Sequence, residues 1–209
     1  MSGRLLFLIV LGLAVAGCQT RDESKPGFVS GASDGAAPVE VTSATTRQSR
    51  QKEAPYYIEF RSRYALSYGH TYVMFGRLDK AGNTADREVA GLHPASNSVV
   101  PYVLGHYIPV PAETGASDGD LDDKYRSATW RVMLSEAQYN EVVAYIRKLQ
   151  ARSRFWQATV YNCNAFVGDI ARHMGYKTPG HLLRPQHYIT KLREMNGGPN
   201  AIGYTGPPG

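Results

Sequence analysis

The sequence predicts an α+β fold, in which an antiparallel sheet is packed against a few helices. Up to Leu134 apolar residues alternate with polar ones at the spacing of a strand, and after Ser135 they recur at the spacing of a helix. Because the strands come first and the helices follow, the two kinds of element are expected to form separate layers around one core.

The strands are predicted in the first half of the domain, over residues 56–66, 70–78, 87–93 and 125–134. A turn at residues 79–83 joins the second strand to the third, which predicts a hairpin. Residues 98–110 form another apolar, β-branched stretch, interrupted by prolines. Residues 112–123 are acidic and rich in glycine, and we expect a solvated loop there.

Three helices are predicted in the second half. Ser135 and Gln138 fit a capping box, and apolar residues at helical spacing follow as far as Leu149. A second helix is expected to begin at Cys163 or Asn164 and to stop at Gly175. A third is expected to follow Pro185.

The N-terminus has the order of a secretory signal: a basic Arg4, an apolar run over residues 5–15, and small residues before Cys18. The run is about a dozen residues long, too short for a membrane span of roughly 20. The small residues and the cysteine together resemble the lipobox of bacterial lipoproteins. That resemblance implies cleavage before Cys18 and acylation of its thiol. The alternative is an ordinary signal peptide with a chance cysteine.

The resulting organisation is a signal peptide over 1–17, a lipidated Cys18 with a flexible tether over 18–54, one domain over 55–196, and a Gly/Pro-rich tail over 197–209. We therefore expect a lipid-anchored protein on the periplasmic face of the cell envelope, with the membrane as a partner through Cys18. The family rule for the residue after the cysteine, here Gln19, favours the outer membrane.

The charge is only mildly basic. The formal net charge is +5, and removal of residues 1–17, which contain Arg4 and no acid, leaves 22 basic and 18 acidic residues, or +4. No basic cluster alternates with aromatic residues, so we expect no nucleic-acid partner. The oligomeric state is left open.

Cys163 is the one cysteine that the lipid would not use. A leftover cysteine in an exported protein indicates a reactive thiol or an intermolecular bridge, and a buried small hydrophobe is the structural alternative. The predicted helix N-terminus would lower the pKa of the thiol. A thiolate also needs an imidazole. In the predicted hairpin, His70 and His93 fall at the same end of the sheet, where they could approach one another.

The segment Asn162-Cys163-Asn164-Ala165-Phe166-Val167 resembles the signature of the circularly permuted papain-like proteins, which include the lecithin:retinol acyltransferase group and relatives of NlpC-type cell-wall peptidases. The segment 69–73 is similar to the histidine strand of that family, and 91–95 to the place of its third, polar residue. The resemblance covers about 110 residues, from His70 to about Thr178.

The resemblance implies a permuted papain-like fold in which Cys163 is the nucleophile and His70 moves the proton. His93 would orient His70, with Glu88 as its rival, and Tyr161 would line the oxyanion hole or the cleft. Asn162 and Asn164 are interpreted as helix caps.

No cofactor and no metal site are expected. The aspartates between residues 118 and 123 alternate like calcium ligands, but the glutamate that closes such a loop is missing. The sequence thus predicts an envelope-anchored cysteine hydrolase or acyltransferase that acts on an amide or ester through a thioester. A peptidoglycan stem peptide is preferred as substrate and a lipid acyl group is the other choice. The alternative is a non-catalytic envelope lipoprotein that uses the same fold for binding or scaffolding.

Overall fold

A computed structural model describes residues 55–65 and 68–197. The predicted signal peptide, Cys18, the tether and all but the first residue of the tail lie outside these residues. Within the described part of the chain, no helix is long and apolar enough to cross a membrane.

The described residues form an α+β fold, as predicted. In chain order the elements are β1 (Tyr56–Arg63), β2 (His70–Leu78), β3 (Thr84–Gly91), β4 (His93–Pro94), α1 (Val99–Leu104), β5 (Val110–Glu113), a 3₁₀ turn (Asp123–Tyr125), β6 (Arg126–Leu134), α2 (Glu136–Arg152), β7 (Phe155–Trp156), α3 (Cys163–His173) and α4 (Pro185–Met195).

The main sheet has four antiparallel strands in the order β3-β2-β1-β6. The predicted hairpin is confirmed, because β2 pairs with β3 in a register that sets Tyr72 opposite Gly91. The third strand is displaced from its predicted bounds. It begins at Thr84 and ends at Gly91, and His93 belongs to a second, three-stranded sheet of order β4-β5-β7.

Helices α2, α3 and α4 cover one face of the main sheet. Phe60, Val73 and Trp130 from the sheet pack with Ile146 of α2, Phe166 and Ile170 of α3 and Ile189 of α4 in one hydrophobic cluster. This burial follows from the sequence pattern, since alternate strand residues and one stripe of each helix are apolar.

The predicted helix boundaries are confirmed closely. Ser135 and Gln138 form the capping box of α2. Helix α3 begins at Cys163 with Asn162 as its N-cap, and Gly175 follows its end with φ +85°, a conformation that favours glycine. The apolar stretch 98–110 differs, because it contains the short helix α1, in which no residue is buried.

Charged residues are buried on β1. Glu59 accepts hydrogen bonds from Arg61, Thr129 and Arg131, and Arg61 also pairs with Asp123. Burial acts to raise the pKa of Glu59, but the charges of Arg61 and Arg131 and the hydrogen bond from Thr129 outweigh it, so that pKa lies below its ordinary value.

Glu59→Ala is expected to lower the free energy of unfolding by about 3–5 kcal/mol, because it leaves the buried Arg61 without its closest counter-charge. Glu88→Ala is the matched control: it removes an exposed ion pair with Arg147 and is expected to cost less than about 1 kcal/mol. Urea unfolding at neutral pH measures both. Equal losses would contradict the importance of the buried pair.

Candidate functional site

The candidate nucleophile, Cys163, lies where the first turn of α3 meets the start of β2. Asn162 holds this start in place: its Oδ1 accepts the N–H of Ala165 at 3.0 Å, and its Nδ2 donates to the carbonyls of Ala158 and His181. The interpretation of Asn162 as a cap is confirmed. Cys163 is a free cysteine with 5% of its surface exposed, which argues against the predicted alternative of an intermolecular bridge.

Asn164 ties the same helix to strand β2. Its Oδ1 accepts a hydrogen bond of 2.9 Å from the hydroxyl of Thr71, and its Nδ2 donates to the carbonyls of His181 and Leu183. The interpretation of Asn164 as a helix cap is therefore wrong. Its side chain is buried and joins three segments that are distant in sequence.

The thiol is not activated in this structure. Burial raises the pKa of Cys163 above its ordinary value, and hydrogen bonds from the side chain and backbone of Thr71 and from the backbone of α3 oppose that rise without cancelling it. The predicted lowering of the pKa by the helix N-terminus is therefore wrong, because the desolvation cost of a buried thiolate is larger than the stabilisation that the helix start provides.

His70 precedes Thr71 on β2, and successive side chains of a strand point to opposite faces. Thr71 faces Asn164 and α3, whereas His70 faces Tyr72 and Asp120. Its imidazole is buried, and Nε2 has no hydrogen-bond partner among the described residues. Nε2 faces the end of β3, since a Cβ built on Gly91 would lie 2.9 Å from it. A side chain at position 91 would push the imidazole out of place, which accounts for glycine there.

His93 lies beside His70, as predicted. The two ring centroids are 6.0 Å apart with the rings nearly perpendicular. Nδ1 of His93 is 3.1 Å from the carbonyl oxygen of Pro94, and its Nε2, like that of His70, has no hydrogen-bond partner within the described residues. The structure thus brings the two histidines together without a hydrogen bond between them.

Asp120 is the functional candidate that sequence analysis missed. It lies 1% exposed in the segment predicted as a solvated acidic loop, so that expectation is wrong for this residue. One carboxylate oxygen pairs with Arg63 at 2.5 Å, and the other accepts the N–H of Ser117 and lies 4.0 Å from Nε2 of His70. The hydroxyl of Tyr72 donates to its backbone carbonyl.

Arg63 and Asp120 could not be found by motif, since they are 57 residues apart and neither belongs to the family signature. The sequence carries only a weak signal for this pair, because a basic residue in an apolar strand, such as Arg63, and an aspartate in a glycine-rich turn, such as Asp120, are both common.

Desolvation controls the protonation of His70. Burial lowers the pKa of His70 to about 4, Asp120 partly opposes this, and the charges of Arg63 and His93 lower it further. The imidazole is therefore neutral at neutral pH and able to accept a proton, although it is a weak base in this environment.

Two of the predicted site residues do not join the cluster. Glu88 pairs in register with Phe75, five residues along β2 from His70, and forms an exposed ion pair with Arg147. At about 3.3 Å per residue it lies far from the imidazole, so its predicted role as the rival orienting group is wrong.

Tyr161 is the second. Its hydroxyl donates to Asp169 at 2.7 Å, nearly two turns along α3 from Cys163. The hydroxyl is therefore committed elsewhere, and its predicted role in an oxyanion hole is wrong. Its ring does line a surface groove, together with Tyr107, Phe155 and Val160.

Among the described residues, no group of three or more His, Cys, Asp or Glu side chains is arranged to hold a metal ion. Comparisons with protein family models, with curated proteins and with solved structures found no match. The resemblance to the permuted papain-like proteins therefore stays a hypothesis, which depends on the residues around Cys163 and His70.

The depressed pKa of His70 makes a stability prediction. Because the unfolded chain takes up this proton near pH 6.5 and the folded chain only near pH 4, protons favour unfolding. The free energy of unfolding is therefore unaffected by the titration of His70 above pH 6.5. It decreases as the pH falls from 6.5 towards 4, by at most on the order of 3 kcal/mol. His70→Gln is expected to remove this part of the acid sensitivity in urea unfolding. His187→Gln, an exposed histidine on α4, is the control, and equal behaviour of the two variants would contradict the assignment.

The raised pKa of Cys163 predicts slow alkylation. Iodoacetamide is expected to label it more slowly than an ordinary thiol at neutral pH, with a midpoint above the usual value of about 8.5. Thr71→Val removes the hydroxyl, which lowers the pKa of Cys163 and also donates to Asn164, and is expected to move the midpoint higher still. Mass spectrometry of the tryptic peptide Phe155–Arg172 reads Cys163 separately from Cys18 in the full chain. A midpoint below 8.5 would mean that the thiolate is stabilised by a group not identified above.

Proposed function

We propose that the protein is an envelope-anchored cysteine hydrolase or acyltransferase with a permuted papain-like domain. The proposal is supported by two observations: Cys163 lies at a capped helix start that contacts Thr71, and the preceding residue of β2, His70, belongs to a buried cluster with His93 and Asp120. Acyl transfer through a thioester needs an imidazole within reach of the nucleophile, so the proposal requires His70 to approach the sulfur of Cys163.

In the proposed reaction the Sγ–H bond of Cys163 breaks as the sulfur attacks the carbonyl carbon of an amide or ester. His70 takes the proton, and the carbonyl oxygen becomes an oxyanion that backbone N–H groups at the start of α3 are placed to stabilise. The oxyanion then re-forms its double bond, and the leaving amine or alcohol departs with the proton from His70. Water or a second acceptor releases the acyl group from the thioester.

The resting pair in this proposal is a neutral thiol and a neutral imidazole. Burial disfavours the charged form of both groups, so proton transfer would accompany the attack instead of preceding it. Asp120 would then stabilise the imidazolium that forms, because its carboxylate faces Nε2 of His70. His93 would limit the movement of the ring from the side of β4.

The lipobox at Cys18 supports a location at the membrane surface. A substrate within reach of a tethered domain there is either a peptidoglycan stem peptide or a lipid acyl group, and location favours the peptide. The tether over residues 19–54, if flexible, has an r.m.s. length of roughly 30–35 Å, which suits both substrates.

The second candidate is a non-catalytic envelope module that uses the fold for binding or scaffolding. The observation that favours it is the protonation state: a thiol with a raised pKa and an imidazole with a pKa of about 4 are the opposite of a preformed thiolate–imidazolium pair.

An acylation assay separates the two candidates. Full-length protein in detergent is mixed with p-nitrophenyl acetate, and release of nitrophenol is compared with the acetyl mass on peptide Phe155–Arg172. A catalytic site predicts an acetylated Cys163 and a burst of nitrophenol that Cys163→Ser abolishes. His70→Ala is expected to slow acylation by about 100-fold or more, the range for loss of a general base.

Two further variants make the assay specific. Asp120→Asn is expected to slow acylation less than His70→Ala, because it removes only the charge that stabilises the imidazolium. His187→Ala replaces an exposed histidine on α4 and is expected to match the wild type. Acylation no faster than that of a small-molecule thiol, and unchanged by His70→Ala, would reject the enzyme and leave the binding module.

A further inference from the structure

A cluster of exposed apolar side chains lies next to the candidate site. Helix α1 and the turn after it expose six large hydrophobic residues, each by 45% or more: Val99, Val100, Val103, Leu104, Tyr107 and Ile108. Phe155 and Val160 adjoin them, since both line one groove with Tyr107. We call these eight residues the apolar face. An exposed apolar patch of this kind usually marks an interaction site.

The apolar face is continuous with the surroundings of Cys163. Tyr102 of α1 turns inward and packs on Trp156 at a centroid distance of 5.8 Å. The carbonyl of Gly105, directly after α1, accepts the N–H of Ala158, five residues before Cys163. The apolar face therefore adjoins the segment that leads into α3, and whatever covers the face lies beside that segment.

The charge pattern indicates what covers the face. No Asp, Glu, Lys or Arg occurs in residues 89–112, nor in residues 155–168. The exposed Arg154 lies at one border of the face, since it precedes Phe155, and a second exposed arginine, Arg184, acts electrostatically on Tyr68. An uncharged apolar surface with an exposed tyrosine and a basic edge fits a bilayer, where apolar groups enter the acyl region and cations meet anionic headgroups.

The length of the tether is compatible with this orientation. The described chain starts at Pro55, at the opposite end of β1 from Arg63 and the site. Strand β1 has 8 residues and spans about 26 Å at roughly 3.3 Å per residue. A chain of 36 residues with the Ser-, Thr- and Gly-rich composition of 19–54 would span roughly 30–35 Å as a random coil, so a lipid on Cys18 and the apolar face could reach the same bilayer.

We propose that the apolar face docks on the lipid bilayer and holds the candidate site against the membrane surface. The proposal uses the envelope location that we proposed above, but it does not depend on catalysis. The bilayer would cover the aliphatic side of α1, and Arg154 and Arg184 would lie at the level of the headgroups.

The test places a fluorescent probe on the apolar face of the full-length protein, reconstituted in vesicles of phosphatidylethanolamine and phosphatidylglycerol. Tyr107→Trp puts the probe on the face, and Thr84→Trp puts it on the exposed end of the β2–β3 hairpin as a matched control. Both variants keep Trp130 and Trp156, so the difference between them reports the new probe.

The vesicles contain lipids brominated near the top of the acyl chains, which is the depth at which interfacial segments insert. These lipids are expected to quench the fluorescence of Tyr107→Trp by about twofold and to leave that of Thr84→Trp unchanged. Adding Val100→Asp and Val103→Asp is expected to abolish this quenching. Both valines are exposed, so these changes should leave the circular dichroism spectrum intact.

Equal bromolipid quenching of the two probes would overturn the proposal. The proposal would also be overturned if neither bromolipid nor aqueous iodide quenched the Tyr107→Trp probe and a cross-linker trapped dimers. A second copy of the chain would then cover the apolar face. Acylation of Cys163 is measured separately in the same vesicles. If Cys163 is not acylated but the probe is quenched, the proposed enzyme is rejected and docking stands. If Cys163 is acylated but the probe is not quenched, docking is rejected and the proposed enzyme stands.

Discussion

The hydrogen bond from Thr71 to Asn164 is the contact on which the candidate site depends. It joins strand β2 to the first turn of α3 and, with the bonds from Asn164 to the carbonyls of His181 and Leu183, fixes three segments around Cys163. The thiol and the imidazole are each next to one partner of this bond, Cys163 beside Asn164 and His70 beside Thr71. The bond therefore fixes the start of α3 on the strand that carries His70, and packing of α3 on the sheet protects it from water.

Burial is the second constraint, and it favours the neutral form of both the Cys163 thiol and the His70 imidazole. It raises the pKa of Cys163 and lowers that of His70, so neither group is charged at neutral pH. In the proposed reaction the proton would therefore move together with the new bond. Asp120 would lie beside the imidazolium and the start of α3 beside the oxyanion.

Asp120 shows how a loop becomes part of a site. The loop has few apolar side chains, and the carboxylate of Asp120 holds it in place by binding Arg63 and Ser117. The same carboxylate also faces His70. Helix α1 packs Tyr102 on Trp156 and leaves its aliphatic residues exposed. Both segments lie between β4 and β6, outside the segments 69–73, 91–95 and 162–167 that carry the family resemblance. The environment of the cysteine is therefore determined in large part by residues outside the recognised signature.

The sequence by itself determined the α+β class, the hairpin that brings His70 near His93, and the capped helix that starts at Cys163, because alternation, helical spacing and capping are local patterns. Only the tertiary structure decided the protonation of the thiol, since a helix N-terminus and burial oppose each other and their balance depends on depth. It also decided that Asp120 is buried and that Glu88 and the hydroxyl of Tyr161 point elsewhere. These outcomes depend on partners tens of residues away, such as Arg63, Arg147 and Asp169, which no local pattern specifies.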